Sequence, residues 1–294
     1  MEPFGVKAIA VALTAATLLA VRAVKKKSLS TAGARVGFCV GFLIVATGLR
    51  GLVLFGFYQL GSWATKYKAS VKAGLDATAT AHSCRGARQV LAVTVTAVSL
   101  SLVHAVACGK ERPVDFAKDP VASRLTCAVL AHHATCLADT WASELGMITQ
   151  RGAATVILVT RPWRKVPAGT NGGISIVGTV WSIIGGAAVG LLTVLMDALS
   201  GIYPLNAWTM VAFGALTGFV GSLVDSVLGA TVQATYWDPV TKLIHHDNGG
   251  DVDLSSLKHL SGISILTNEQ VNFVSVALTS LLGGWVLGPW FFSL

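Results

Sequence analysis

Long apolar segments recur along almost the whole of this chain, and they constrain its fold more than any other feature. The hydrocarbon core of a bilayer needs about 20 apolar residues per helix. Segments close to or above that length occupy residues 5–23, 36–63, 88–108, 120–140, 174–196, 207–231 and 270–292. Charged residues make up 12% of the chain, about half the fraction that is usual in soluble domains. The sequence therefore predicts an integral membrane protein.

The predicted fold class is all-α, with residues 1–294 forming a single integral membrane domain. Transmembrane helices satisfy their own backbone polar groups, so a polytopic bundle of seven or eight helices is expected. The number depends on 36–63, which is either one tilted helix or two short ones broken at the sequence LRGL. In the second case Arg50 faces the bundle or a cavity. A shorter run, AATVILVT at 153–160, is too brief to span and is expected to be re-entrant or interfacial.

Basic residues are concentrated in loops that fall on one predicted face of the bundle. The stretch 64–88 has five Lys and Arg residues against one acid, and 149–173 has four against none. Two crossings separate these stretches, so they share a face, which the positive-inside rule makes cytoplasmic or stromal. A plastid envelope or an endomembrane is the expected location. The net charge of +8 follows this loop pattern and does not indicate nucleic-acid binding.

Carboxylates inside apolar helices are the strongest functional signal. In LADTWASELGMIT (137–149), Asp139 and Ser143 share a helix face, and Glu144 is about 100° away from Ser143. An intramembrane acid requires either a basic partner on a neighbouring helix or a functional cation. Both interpretations stay open for this segment.

A second helix has a stripe of small and polar residues around another acid. In GSLVDSVLGATVQ (221–233), Ser226 and Gln233 follow Asp225 at helical spacing. Helix packing explains the small residues of such a stripe but does not explain the aspartate. Two helices that each present an aspartate suggest a shared Mg²⁺, an ion that binds oxygen ligands and substrate phosphates. Asp139 and Asp225 are the predicted metal ligands, with Glu144 as a third ligand or a close neighbour.

A glycine-rich loop preceded by cations predicts an anion site. Residues 161–178 read RPWRKVPAGTNGGISIVG and open directly into an apolar helix. Converging backbone amides and a helix N-terminus both favour bound phosphate. The predicted phosphate-binding residues are Arg161, Arg164, Gly169, Thr170, Asn171, Gly172 and Gly173, with Lys165 counted among the catalytic residues. Arg85 and Asn272, at the starts of other helices on this face, and the side chains of Ser143, Ser226 and Gln233 are expected to complete the site.

Several of these motifs resemble those of one membrane-protein family. ADTWASELG, KVPAGTNGGIS, GSLVDSVLGATVQ and NEQVNF occur in the same order as in the family that includes transmembrane protein 19 and the phytyl-phosphate kinase of plants and cyanobacteria, and RGARQVLA is similar to a fifth motif. The resemblance covers most of the chain from about residue 60. It implies a multi-pass protein that phosphorylates an isoprenyl monophosphate. The chain departs from the family pattern at Val93, where an asparagine is expected.

The residues and the resemblance together predict a membrane-embedded kinase. Its substrates would be a phytyl-like isoprenyl monophosphate held in the lipid bilayer and a nucleoside triphosphate, with Mg²⁺ as cofactor. A secondary transporter is the main alternative, because acids and glycine-interrupted helices also bind ions in transporters. A transporter should have its polar groups near the midplane, whereas here they cluster towards one end. A non-catalytic membrane scaffold is the third possibility.

Overall fold

The computed structural model describes residues 1–76, 84–148, 156–203, 207–246 and 256–293. Within these ranges the chain is mostly helical, with two small β-sheets. The helices are α1 (Val6–Lys25), α2 (Thr31–Thr47), α3 (Val53–Lys66), α4 (Ala69–Ala73), α5 (Ala87–Ala92), α6 (Val95–Cys108), α7 (Pro120–Ile148), α8 (Ile176–Leu199), α9 (Ala207–Val232), α10 (Asn268–Leu282) and α11 (Gly288–Phe291). A π-helical segment, Gly283–Leu287, joins the last two.

Several helices have the length and composition that a membrane crossing needs. Among the described residues these are α1, α8, α9 and the continuous segment Asn268–Phe291. The helices α2 and α6 are apolar but shorter, and α7 is the longest helix, with 29 residues. The predicted polytopic helical membrane protein is therefore supported. The number of crossings, seven or eight, stays a prediction.

The segment 36–63 forms two helices, as one of the two sequence interpretations expected. The break falls at LRGL, where Leu49–Leu52 form one turn of 3₁₀-helix between α2 and α3. A Cβ at Gly51 would overlap the carbonyl oxygen of Ile44, so the tight reversal requires glycine. Arg50 faces the bundle and forms an ion pair with Asp197, near the end of α8, at 2.5 Å. The hairpin also returns α3 to the face on which Lys26 lies, because Lys66 donates to the Lys26 carbonyl.

The helices α7, α8 and α9 form the centre of the bundle. Their backbones approach closely at glycines, because a Cβ at Gly185 would lie 3.0 Å from the Ala138 Cα and one at Gly218 would lie 2.7 Å from the Gly186 Cα. Small residues at such contacts allow close helix packing without a side-chain layer between the backbones. This packing fixes α7 against α8 and α8 against α9, and it brings the predicted acidic residues of α7 and α9 onto neighbouring helices.

Two three-stranded antiparallel sheets lie outside the helical core, which the all-α prediction did not anticipate. One has the order β2-β1-β3 and the other β5-β4-β6. The strands are β1 (Ile157–Leu158), β2 (Arg161–Lys165), β3 (Gly173–Ile174), β4 (Thr235–Trp237), β5 (Ile244–His246) and β6 (Lys258–Ser261).

The first sheet contains part of the run at 153–160 that was expected to be re-entrant or interfacial. Residues 153–155 of that run lie outside the described residues, whereas 157–158 form β1. Val156, Leu158 and Val166 pack with Ala230 of α9 as a small apolar cluster. These apolar side chains are buried by the sheet itself and by a helix end, so the run has no need to enter lipid.

Candidate functional site

A cavity of about 780 Å³ lies at one end of the central helices. Its walls come from the C-terminal parts of α3, α7 and α9, the N-terminal parts of α5, α8 and α10, and the loop between β2 and β3. The predicted site residues that line it are Arg85, Asp139, Ser143, Glu144, Gly169, Thr170, Asn171, Gly172, Gly173, Asp225, Ser226, Gln233 and Asn272. Most of the polar groups chosen from the sequence are thus brought together on one face.

Asp139 and Asp225 face the same cavity from neighbouring helices. A hydroxyl contacts each carboxylate: Ser222 donates to the Asp139 Oδ1 at 3.5 Å, and Ser275 donates to the Asp225 Oδ2 at 2.9 Å. Among ion pairs between described residues, neither aspartate takes part. Two half-buried carboxylates that form no ion pair with a described residue are the arrangement that a bound cation would stabilise.

Glu144 has a different environment from the two aspartates. Its Oε2 lies 2.5 Å from the Nζ of Lys72, whose side chain is 4% exposed. The same ammonium donates to the carbonyl oxygens of Ala64 and Thr65 at 2.9 and 2.5 Å. Lys72 therefore joins α4 to the end of α3 and to α7. Because Glu144 already has a cationic partner, the geometry does not support its predicted role as a metal ligand.

The glycine loop contacts α9 closely at Gly172. This residue has φ +74°, and a Cβ there would overlap the Ala230 side chain and approach the Ser226 carbonyl oxygen at 2.6 Å. Only glycine meets both requirements. The loop therefore lies directly over the polar stripe of α9, close to Ser226 and Gln233.

The backbone amides of this loop do not form the phosphate-binding site that the sequence predicted. The Thr170 amide donates to the Pro167 carbonyl, that of Asn171 to the Thr235 Oγ1, and that of Gly173 to the Thr170 carbonyl. Three of the five amides are therefore committed to partners within the protein, so the loop is not a ring of free donors. A phosphate in the cavity would also face the N-terminus of α8, where Ser175, Gly178 and Thr179 line the wall. The amides of Gly178 and Thr179 are bonded to Ser175, so the attraction there comes from the positive end of the helix dipole.

The cations of the RPWRK motif lie apart from the cavity. Arg161, Arg164 and Lys165 are on β2, where Arg161 and Lys165 are exposed, and none of the three lines the cavity. Their predicted phosphate-binding and catalytic roles are thus not supported by the geometry. Arg85 does line the cavity and donates to the Thr65 Oγ1 at 3.3 Å. Burial lowers the pKa of Arg85 from its usual value, although the nearby Glu144 opposes this effect.

The donor set at Asp139 and Asp225 fits a magnesium ion better than a structural transition-metal site. Within the described part of the chain, no three His, Cys, Asp or Glu side chains form a metal-ligand group. Mg²⁺ needs only one or two carboxylates, because it keeps several waters and binds substrate phosphates. Ser226 and Asn272, whose side chains carry a hydroxyl and an amide oxygen, line the same space. These are the oxygen donors that such an ion accepts.

Sequence reasoning missed Lys72, Ser222 and Ser275 as site residues. Lys72 belongs to a loop with many basic residues, and its partner Glu144 is 72 positions away. Ser275 follows the NEQVNF motif by two residues and contacts Asp225. Ser222 belongs to the small-residue stripe and differs from its neighbours only in its contact with Asp139. In each case, no local pattern identifies the residue.

A mostly helical bundle with several membrane-length apolar helices and a polar cavity at one end defines an integral membrane protein. The chain belongs to the family described as Integral membrane protein DUF92, whose sequence pattern matches residues 14–280. This match confirms the family resemblance that the motifs indicated.

Two relatives show how far the similarity extends. The chain is 32% identical over 277 residues to Protein PGR of Arabidopsis thaliana. The aligned region covers 92% of this chain and 93% of the relative. It is 29% identical over 219 residues to an uncharacterized membrane protein of Synechocystis, with 74% of this chain and 77% of the relative covered. No solved structure matches the chain.

Proposed function

We propose that this protein is a membrane-embedded kinase that converts an isoprenyl monophosphate to the diphosphate, with a nucleoside triphosphate as phosphoryl donor. One observation carries the proposal: Asp139 and Asp225 share a cavity of about 780 Å³ with Arg85, Lys72 and the N-terminus of α8. Phosphoryl transfer needs charge neutralisation and alignment more than covalent help from the protein. A cavity with paired acids beside cations is suited to that task.

The chain's own residues have separate roles in this reaction. Asp139 and Asp225 would hold Mg²⁺, which supplies neutralising charge to the donor phosphates. Arg85 and the α8 N-terminus bind phosphate oxygens, and Lys72 keeps Glu144 paired at the cavity wall. An oxygen of the acceptor phosphate forms the new bond to the γ-phosphorus, while the bond to the β–γ bridging oxygen breaks. The nucleoside diphosphate leaves with that electron pair. The acceptor is already anionic, so no strong general base is needed.

The proposed location of the site follows from the lipid substrate. An isoprenyl chain partitions into the bilayer while its phosphate stays at the interface, where a soluble nucleotide can reach it. The loop charges favour the cytoplasmic face of an endomembrane, or the stromal face of a plastid envelope, for this end of the bundle.

The experiment is a product assay with purified protein in detergent. Isoprenyl monophosphates, Mg²⁺ and each nucleoside triphosphate are supplied, and the product mass is measured. We expect diphosphate from the wild type and a loss of at least a hundredfold in kcat for Asp225→Asn, because one of the two metal carboxylates is removed. Asp119→Asn, an acid on the opposite face that pairs with Arg112, is the matched control and should retain activity.

The same preparation tests the transporter alternative. Folded wild-type protein that makes no diphosphate from any lipid and nucleotide, but takes up a solute when reconstituted in liposomes, would contradict the kinase. Equal turnover by the wild type and Asp225→Asn would remove the aspartate pair from the mechanism.

A further inference from the structure

A second, smaller cavity of about 150 Å³ adjoins the polar one. It lies among α1, α2, α3, α5, α7 and α10. The residues that line both cavities are Arg85, Gln89, Asp139, Thr140, Asp225 and Asn272. The two spaces therefore meet at the paired aspartates. We call the smaller one the apolar annex.

Away from these shared residues, the walls of the annex are mostly apolar. Val40 of α2, Leu54 and Phe55 of α3, and Val93 between α5 and α6 are among them. Tyr58 also lines it, but its hydroxyl is paired with the Ser28 hydroxyl at 2.6 Å. An apolar space that opens onto charged groups fits a ligand with a charged end and a hydrocarbon end.

The size of the annex limits how much hydrocarbon it can enclose. An apolar protein cavity of about 150 Å³ binds a molecule the size of benzene, which has about six carbon atoms. One isoprene unit has five. We infer that the annex receives only the first isoprene unit next to the phosphate, and that the remainder of the chain lies outside the bundle in lipid. This inference rests on the proposed function, since it assigns part of the same substrate.

On the α1 side, a single helix separates the annex from the surrounding lipid. Leu19 and Ala20 line the annex there and are only half-buried. Their neighbours Leu18 and Val21 are exposed apolar side chains on the outer surface of α1. The wall is thus one helix thick at this point, and its outer face is suited to contact with acyl chains.

This arrangement makes the site selective for the unit next to the phosphate and tolerant of chain length. Each buried CH₂ group contributes about fourfold in affinity, so a second enclosed unit would add about a thousandfold. We expect the affinities for ten- and 20-carbon monophosphates to differ by less than about threefold, when concentrations are expressed as mole fraction in the detergent phase. A steep rise in affinity beyond five carbons would overturn the inference.

A variant that fills the annex tests the same point. A Cβ at Gly37 would lie 3.4 Å from the Leu29 Cδ1, which is ordinary contact, so the first side-chain atom of Gly37→Leu fits and the remaining atoms would occupy the annex. We expect it to raise the KM for five- and 20-carbon monophosphates about tenfold, with the nucleotide KM unchanged. The control is Cys39→Leu, an exposed position on the same helix. An unchanged lipid KM in folded Gly37→Leu would contradict the annex.

A labelling experiment reads out lipid binding without turnover. The probe is a ten-carbon isoprenyl monophosphate with a diazirine on its first unit, incorporated in nanodiscs and mapped by mass spectrometry. We expect adducts on Leu54, Phe55 or Val93 that fall at least fivefold in Gly37→Leu but not in Cys39→Leu. Adducts confined to the outer surface would overturn the inference even if the protein makes diphosphate. Annex adducts without turnover of any nucleotide would support the annex and contradict the kinase.

Discussion

Lys72 shows how one side chain can hold a site together. Its ammonium contacts Glu144 and the last carbonyls of α3, so three elements depend on it. Removing one partner of a buried ion pair leaves the other charge uncompensated, which costs several kcal/mol. The contribution of Lys72 is therefore structural as well as electrostatic.

We expect Lys72→Met to lower the free energy of unfolding by about 3 kcal/mol. The measurement is denaturation in mixed micelles, in a double-mutant cycle with Glu144→Gln. The double variant should be more stable than the sum of the single effects predicts, because both charges are removed together. Lys68→Met, a change at the nearby Lys68 that leaves the Glu144 pair intact, is the control. Strict additivity would contradict the pairing.

Glu111 makes stability depend on pH at the opposite end of the bundle. It lies in the loop between α6 and α7, and its Oε1 accepts the Arg50 amide at 2.9 Å. Its other oxygen is buried without a hydrogen-bond partner among the described residues. Burial raises the pKa of this carboxyl above its usual value of 4.5, although Arg50 opposes the shift.

A raised folded-state pKa means that the folded protein binds more protons than the unfolded chain. Stability should therefore fall as pH rises from about 4.5 through the raised pKa. Glu111→Gln removes this titration and should give a flatter curve of thermal midpoint against pH. The exposed Glu2→Gln should follow the wild type. A wild-type curve that rises over this interval, and is unchanged by Glu111→Gln, would refute the assignment.

At the scale of elements, the strand β2 carries its three cations outside the polar cavity. It presents Arg161, Arg164 and Lys165 beside Trp163, whose side chain is 82% exposed. Exposed cations next to an aromatic ring are typical of segments at a membrane surface. The sequence associated these cations with phosphate because they precede the glycine loop. In the structure, the turn after β2 leads the loop into the cavity and leaves the strand outside it.

We accordingly expect the triple variant Arg161→Gln, Arg164→Gln, Lys165→Gln to retain kcat within about twofold in detergent. Arg85→Gln, which removes a cation that lines the cavity, should lose at least tenfold, because charge-assisted hydrogen bonds to phosphate are strong. Diphosphate production by each protein is the measurement. A loss of kcat in the triple variant equal to that of Arg85→Gln would show that the cations of β2 take part in phosphate binding.

At the scale of the whole molecule, the path of the chain places the polar cavity and the turn at Leu49–Leu52 on opposite faces of the bundle. Cys84 lies on the site face, next to Arg85, and is exposed. Lys110 lies in the loop that carries Glu111, and its side chain is 60% exposed. In sealed vesicles, an impermeant maleimide should label Cys84, in a protein whose other four cysteines are alanine, and Lys110→Cys, in a protein whose five native cysteines are alanine, from opposite sides. Labelling of both from one side would refute the predicted crossings.

The helical character of the chain and the location of the two acids at one end of the bundle could both be predicted. The first follows from the apolar segments, and the second from the alternation of loops between the two faces. Asp139 and Asp225 could be assigned to one end of the bundle by counting crossings. The hairpin at LRGL was one of two options, since glycine permits a reversal without requiring it, and the Arg50–Asp197 contact beside the turn joins residues distant in sequence. The short strands could not be predicted, because a strand of two residues such as β1 is too short to show an alternating pattern. Among the committed amides of the glycine loop, that of Asn171 depends on Thr235, which is distant in sequence.

The close packing of α7, α8 and α9 at their glycines has a consequence for motion. Helices whose backbones touch cannot slide without collision, so we expect the separation of the two aspartates to stay nearly constant when a ligand binds. We expect an opening that admits a lipid to lie among α1, α2 and α3, because none of their described glycines brings their backbones into contact with those of α7, α8 and α9. Amide hydrogen exchange should reflect that division, with slow exchange in the central helices and faster exchange in the first three.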